Sequence, residues 1–286
     1  MANESPDTPP RRTLRRTPRP TRRGRLALFI GVVLVLVVAA AVLVPLLTRA
    51  PRVEQARSLV IPEGWRASQV YAAVDKALAV EPGTTEKAAS TADLALPAEA
   101  KGNPEGYLFP ATYPITSGTT PRGLLAYMVD TAVERFGADH ITEGARRNGV
   151  SVYRTVTIAS IVQAEADSVA DMGKVARVIY NRVDRGMPLQ MDSTLNYALN
   201  RSTLHTTTGD TKIDSPYNSY ERKGLPPTPI GNPGEQAMTA AIGPTPGAWL
   251  YFVTVAPGDT RFTSSYTEQQ KNVAEFNRNH RGASAG

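Results

Sequence analysis

Residues 152–166 read VYRTVTIASIVQAEA, and the fold turns on this stretch. Ile158, Ile161, Val162 and Glu165 fall at i, i+3, i+4 and i+7, so they share one face of a helix. The stripe is apolar until it ends on a carboxyl. Such a carboxyl loses solvation, and desolvation favours the neutral acid. A glutamic acid that holds its proton near neutral pH is what cleavage of a glycosidic bond needs. The bland alternative stands beside it: a small rotation of the helix leaves Glu165 solvated at the rim.

Working outward, residues 121–136 carry Leu124, Leu125, Met128, Val129, Ala132 and Phe136 with helical period, and residues 172–184 form a further helix. Residues 235–241 form a short helix after Asn232-Pro233-Gly234, and residues 267–279 a closing one with Thr267 as its cap. WLYFVTV at 249–255 reads as a buried strand. Upstream, SLVI at 58–61 is a strand that runs into a Pro62/Gly64 turn and a helix capped by Ser68. Residues 81–103, rich in Ala, Thr, Pro and Gly, read as a loop. Helices gather first and strands and loops later, which argues for an α+β fold.

Residues 26–47, LALFIGVVLVLVVAAAVLVPLL, hold no charge. As a helix they measure about 33 Å, against a hydrocarbon core of about 30 Å. Eight arginines precede them, and only Arg49 and Arg52 follow closely. The positive-inside rule then places the N-terminus in the cytoplasm and the rest outside the cell membrane, as a single-pass protein. The competing reading is a cleaved signal peptide, whose apolar region is normally shorter. Those arginines, set against Glu4 and Asp7, carry the whole net charge of +6, and the remaining chain is neutral. The basic balance therefore belongs to a Pro-rich tail, expected to be disordered, and nucleic acid is not an expected partner. The chain has no cysteine, and His140, His205 and His280 stand far apart in sequence. No thiolate or H-E-x-x-H metal site is available, and neither a metal nor a cofactor is expected.

Two loops crowd polar and aromatic side chains. Asn181, Gln190, Asp192, Ser193, Asn196 and Tyr197 lie in one, and Tyr217, Asn218 and Tyr220 in the next. Flat rings stack on pyranoses and amides bond their hydroxyls. The alternative is that the rings are core and the amides cap turns.

Five ordered motifs carry a resemblance: EGYLFPATY at 105–113, ASIVQAEA at 159–166, VIYNRV at 178–183 with GMPLQMDST at 186–194, SPYNSY at 215–220 and GLPPTPI at 224–230. Together they resemble the endolytic murein transglycosylase family (MltG, YceG-like) over about residues 58–277. VIPEGW at 60–65 is similar to that family's LysM-like subdomain. The resemblance implies a cytoplasmic tail at 1–25, a transmembrane helix at 26–47, a linker with a LysM-like subdomain at 48–104 and a catalytic domain at 105–286. It implies a lyase that cuts nascent peptidoglycan glycan strands, leaves 1,6-anhydro-N-acetylmuramic acid ends and ends glycan elongation beside cell-wall synthases. Glu165 matches the family's catalytic glutamate. Asn181, Gln190, Asp192, Tyr217, Asn218 and Tyr220 become candidate glycan contacts or supports for Glu165. The sequence departs from the family at Gln163, the first acid of an E-x-E, at Ala111, and at Thr260 where a histidine is usual. A glycan-binding scaffold with weak or no activity is the competing function. Acyl transfer is disfavoured, since no S-x-x-K occurs.

Overall fold

The computed structural model describes residues 22–47, 57–166, 168–203 and 207–283. The chain divides into two compact units, Met1–Gln55 and Ala56–Gly286. In the first, helix α1 runs Arg22–Leu47; the arginine-rich tail at residues 1–21 lies outside the described residues. Among the described residues no helix is long and apolar enough to cross a membrane. In α1 the side chains described without a break are those of residues 29–44, about 24 Å of helix at 1.5 Å per residue. The expected span at 26–47 therefore reaches beyond them.

The second unit begins with strand β1 (Arg57–Val60), followed by helices α2 (Ala67–Leu78) and α3 (Thr84–Thr91) and a 3-10 turn at Ala98–Ala100. Strand β2 (Thr112–Ile115) pairs antiparallel with β1, Leu59 opposite Tyr113. Helices α4 (Pro121–Phe136), α5 (Asp139–Arg147), α6 (Val152–Glu165), α7 (Val169–Asp184), α8 (Asp192–Ala198) and α9 (Glu235–Ile242) follow. The hairpin β3 (Tyr251–Ala256) and β4 (Asp259–Thr263) and helix α10 (Tyr266–Ala283) close the chain. Helices and strands mix as expected of an α+β protein.

Two cores organise the unit. One packs Val70 and Val74 of α2 with Leu108, Leu125, Met128 and Val129. The other surrounds α6, with Ile158, Ile161, Val175, Ile179 and Met238. The sequence showed one apolar stripe on α6, but nearly the whole helix is buried, including Thr155, Thr157 and Ser160. Burial of those hydroxyls is tolerated because each donates to a carbonyl one turn back: Thr155 to Ser151, Thr157 to Tyr153 and Ser160 to Thr157. Ser160 Oγ also accepts from Ile230 N at 3.0 Å.

Residues 81–103 are not one loop. They hold α3, which is tied to α2 by Asp75, a 4%-exposed carboxylate. Its oxygens accept from Thr85 N at 2.8 Å, from Thr85 Oγ1 and from Gly83 N at 2.7 Å. Burial pushes this carboxyl up, but the hydrogen bonds outweigh burial and hold it below the usual carboxylate range. Two expected caps also move. Helix α2 starts before Ser68, its Ala67 N bonded to Glu105 Oε1 at 3.0 Å. Helix α10 starts before Thr267, where Ser265 Oγ accepts from Glu268 N. Helices α5 and α8 and strands β2 and β4 had no place in the sequence reading.

Candidate active site

Helix α6 stops at Glu165 because Ala166 turns to an extended conformation, φ −91° and ψ 124°. The last residue of a buried helix thus emerges half-buried at the edge of the core. Its Oε1 accepts from Ser193 N at 3.1 Å, which fixes the carboxyl against the start of α8. Glu165 lines an open groove of about 1050 Å³.

The wall that adjoins Glu165 depends on α7 and the turn after it. Arg182, buried on α7, donates from Nε to Leu250 O (2.6 Å) and from Nη1 to Pro188 O (3.0 Å), Leu189 O (2.8 Å) and Gln190 Oε1 (3.1 Å). Burial lowers its guanidinium from the ordinary arginine value, with the Tyr251 ring 5.1 Å away. This clamp holds Gln190 in a left-handed conformation, φ +54°, with Gln190 N on Ser219 O. A non-glycine residue at such a φ needs surroundings that determine it, and the clamp supplies them. Ser219 Oγ meets both Met191 N and Thr194 Oγ1, welding the second loop to the first. Tyr220 then reaches Asp192, donating its hydroxyl to Oδ1. Burial, followed by the hydrogen bond to Asp192 and the nearby charges of Asp192 and Glu165, pushes the Tyr220 hydroxyl well up.

Of the residues singled out on sequence, Glu165, Gln190, Asp192 and Tyr220 come together as walls of this groove. Asn181, Tyr217 and Asn218 stand elsewhere. Asn181 Nδ2 donates to Gly247 O and Trp249 O and ties α7 to the approach of β3. Asn218, buried, donates to Thr211 O and Ile213 O and accepts from Tyr220 N. Tyr217 packs on Tyr197 (4.8 Å between centroids) and bonds Thr228, and it lines a second hollow with Lys223 and Pro226.

The groove also recruits residues the sequence reading had passed over. Glu63, Trp65 and Arg66 come from the turn before α2, and Tyr251, Phe252 and Tyr266 from β3 and the start of α10. The strand at 249–255 had read as buried, yet only Val255 of the residues in β3 is fully so. Its one signal was the aromatic pair Tyr251-Phe252, adjacent and hence on opposite faces of any strand. Arg182 lay inside a quoted motif in which Asn181 alone had been singled out.

Against the start of α2 sits Glu105, 3% exposed. Its Oε1 accepts from Ala67 N and its Oε2 from the Tyr197 hydroxyl at 3.1 Å. Burial pushes this carboxyl up to about 7, against the opposing pull of Ala67, Tyr197 and the Arg66 charge. Gln163, where the resemblance led to the expectation of an acid, has a structural contact: its Oε1 accepts from Gly234 N at 3.1 Å.

A profile of the YceG-like family matches residues 38–275. The chain is 38% identical over 171 residues to an endolytic murein transglycosylase of Bacillus subtilis, a match spanning 58% of this chain and 46% of that protein. It is 36% identical over 177 residues to one of Streptococcus pneumoniae, spanning 60% of this chain and 32% of that one. The chain thus covers less than half the length of these relatives. A crystal structure of a YceG-like protein from Listeria monocytogenes superposes with a TM-score of 0.67 at 29% identity, over 76% of this chain and 75% of that one.

Proposed function

The chain belongs to the YceG-like family, and from that premise we propose that it is an endolytic lytic transglycosylase of peptidoglycan. The observation that carries the reading is Glu165 in the wall of an open groove, its carboxyl oriented by Ser193 N. Glu165 gives its proton to the glycosidic oxygen as the bond to the anomeric carbon breaks. As a carboxylate it then takes the proton of the muramic C6 hydroxyl, whose oxygen closes on the anomeric carbon. The products are a free hydroxyl on the leaving sugar and a 1,6-anhydro-N-acetylmuramic acid end. The acid is regenerated and no water is consumed. One carboxyl serves both steps, so the paired carboxylates of hydrolytic glycosidases are not needed. Internal attack also gains from proximity.

Gln190, Asp192 and Tyr220 are the glycan contacts or supports of this site, and Asn181 and Asn218 act at one remove by holding its loops. The uncharged run at 26–47 behind its arginines supports a single membrane anchor with the groove outside the cell. From that position the enzyme would meet nascent strands near cell-wall synthases and end their elongation. The turn at 60–65 is the LysM-like element of the proposal.

The test is a digest of purified glycan strands by residues 50–286. Anhydro ends are expected from the wild type, and Glu165→Gln should lower their rate of formation by at least about a thousandfold with the melting temperature unchanged. Binding without any anhydro product would replace the enzyme by a glycan-binding scaffold. Cutting by the Gln variant would remove Glu165 from the mechanism.

A further inference from the structure

The turn at residues 63–67 stands, on sequence, with a small subdomain of its own. In the structure it is fastened to residues from the other half of the unit and forms one lip of the groove. Gly64 N donates to Asn232 O at 2.8 Å, and Trp65 O accepts both Asn232 N (2.8 Å) and Asn232 Nδ2 (2.7 Å). Asn232 is fully buried, and its Oδ1 is held by Leu108 N at 2.8 Å. A Cβ on Gly231 would stand 2.8 Å from Gly64 O, so this close approach needs glycine there. On the far side Ala67 N is bonded to Glu105. Arg66 lies over the Tyr197 ring at 5.3 Å and donates from Nη2 to Arg201 O at 2.7 Å.

Every neighbour of Trp65 along the lip is therefore held, and its own carbonyl is bonded twice. The indole is half-buried: it packs in part against the core around Val70, and it lines the groove that Glu165 lines. Gln163, two residues before Glu165, approaches Gly64, so the lip meets the end of α6. The indole turns on only two χ angles and packs in part on that core, so it has little rotamer freedom to lose on binding.

We propose that Trp65 is a sugar-stacking platform of this groove, receiving the C–H face of a pyranose in the strand that Glu165 cuts. The inference rests on the transglycosylase reading and adds to it a contact from outside the candidate loops. A pyranose with equatorial hydroxyls has an apolar face, and a flat ring covers it while the hydroxyls stay available to Gln190 and Asn196 on the groove walls.

The chain has two tryptophans. Trp249 lies against Phe262, 5.9 Å between centroids, and is not part of the groove lining. Emission therefore reports on Trp65 alone in a Glu165→Gln/Trp249→Phe chain, which does not cut. Titrating purified glycan strands into it should shift the emission to the blue and saturate. In Glu165→Gln/Trp65→Ala, with Trp249 retained, no shift is expected and strand affinity should fall roughly tenfold or more. Because the indole also packs on a core, the emission change decides where that variant folds poorly. Strands that bind by ultrafiltration yet leave Trp65 emission unmoved overturn the platform and spare the transglycosylase reading. Failure of any strand to bind the Glu165→Gln chain sinks both.

Discussion

At the scale of single residues, the site depends on polar groups whose burial is balanced by specific bonds, and Glu105 is the one with the most to lose. Its folded value of about 7 stands above the ordinary 4.5, so folding favours the protonated form. Its stabilising contribution is complete below pH 4.5. It is lost as the pH rises from there through about 7, and beyond that the loss is constant. The swing is about 3 kcal/mol by linkage. Glu105→Gln keeps the shape and cannot ionise. Denaturant melts should find the variant more stable than the wild type at pH 8, with the gap closing towards pH 4. A gap that is the same at both pH values would show that the carboxyl is not titrating under burial. Arg182 is the opposite case, a buried cation that donates to Leu250 O as well as to Pro188 O, Leu189 O and Gln190 Oε1, and its removal would release the turn that carries Gln190.

At the scale of elements, bonds that reach across the sequence decide where helices start and what they lean on. Helix α3 exists where composition suggested a loop because Asp75 gathers Gly83 N, Thr85 N and Thr85 Oγ1. Asp75→Ala leaves Thr85 N and Thr85 Oγ1 buried without an acceptor and should cost roughly 3 kcal/mol. Chemical denaturation with unchanged helicity at low temperature would measure it. A loss below about 0.5 kcal/mol would mean that α3 is held by packing alone. The sign with pH also follows. The Asp75 carboxyl is held below its ordinary 3.8, so its contribution is present above that value and fades as the pH falls through the folded one.

At the scale of the whole folded unit, the N-terminal segment and the later domain share a sheet and a lip. Strand β1 pairs with β2 more than fifty residues on, and Gly64 and Trp65 are bonded to Asn232. Neither half closes its contacts alone. Residues 56–286 should accordingly unfold in one calorimetric transition, with equal van't Hoff and calorimetric enthalpies. Separate melting of residues 56–104 would contradict that coupling.

Local chemistry was enough for some of this. The period of residues 121–136 and 152–165 marked α4 and α6, because a core-facing helix must repeat its apolar side every three to four residues. Motif order pointed to the family, and the end of the apolar stripe singled out Glu165. Periodicity is silent where a short helix is stabilised by a remote partner, as α3 is by Asp75 and α2 by Glu105. It is silent too about which of several amides turns inward. Asn181 and Gln190 look alike on paper, but α7 turns the first toward Gly247 and Trp249, while the Arg182 clamp sets the second in the groove. Trp65 joins the wall because Asn232, more than 160 residues away, supplies the bonds that its own neighbours cannot. Propensity and pattern act over a few residues, whereas a groove is the space left between segments, and only their packing together gives it walls.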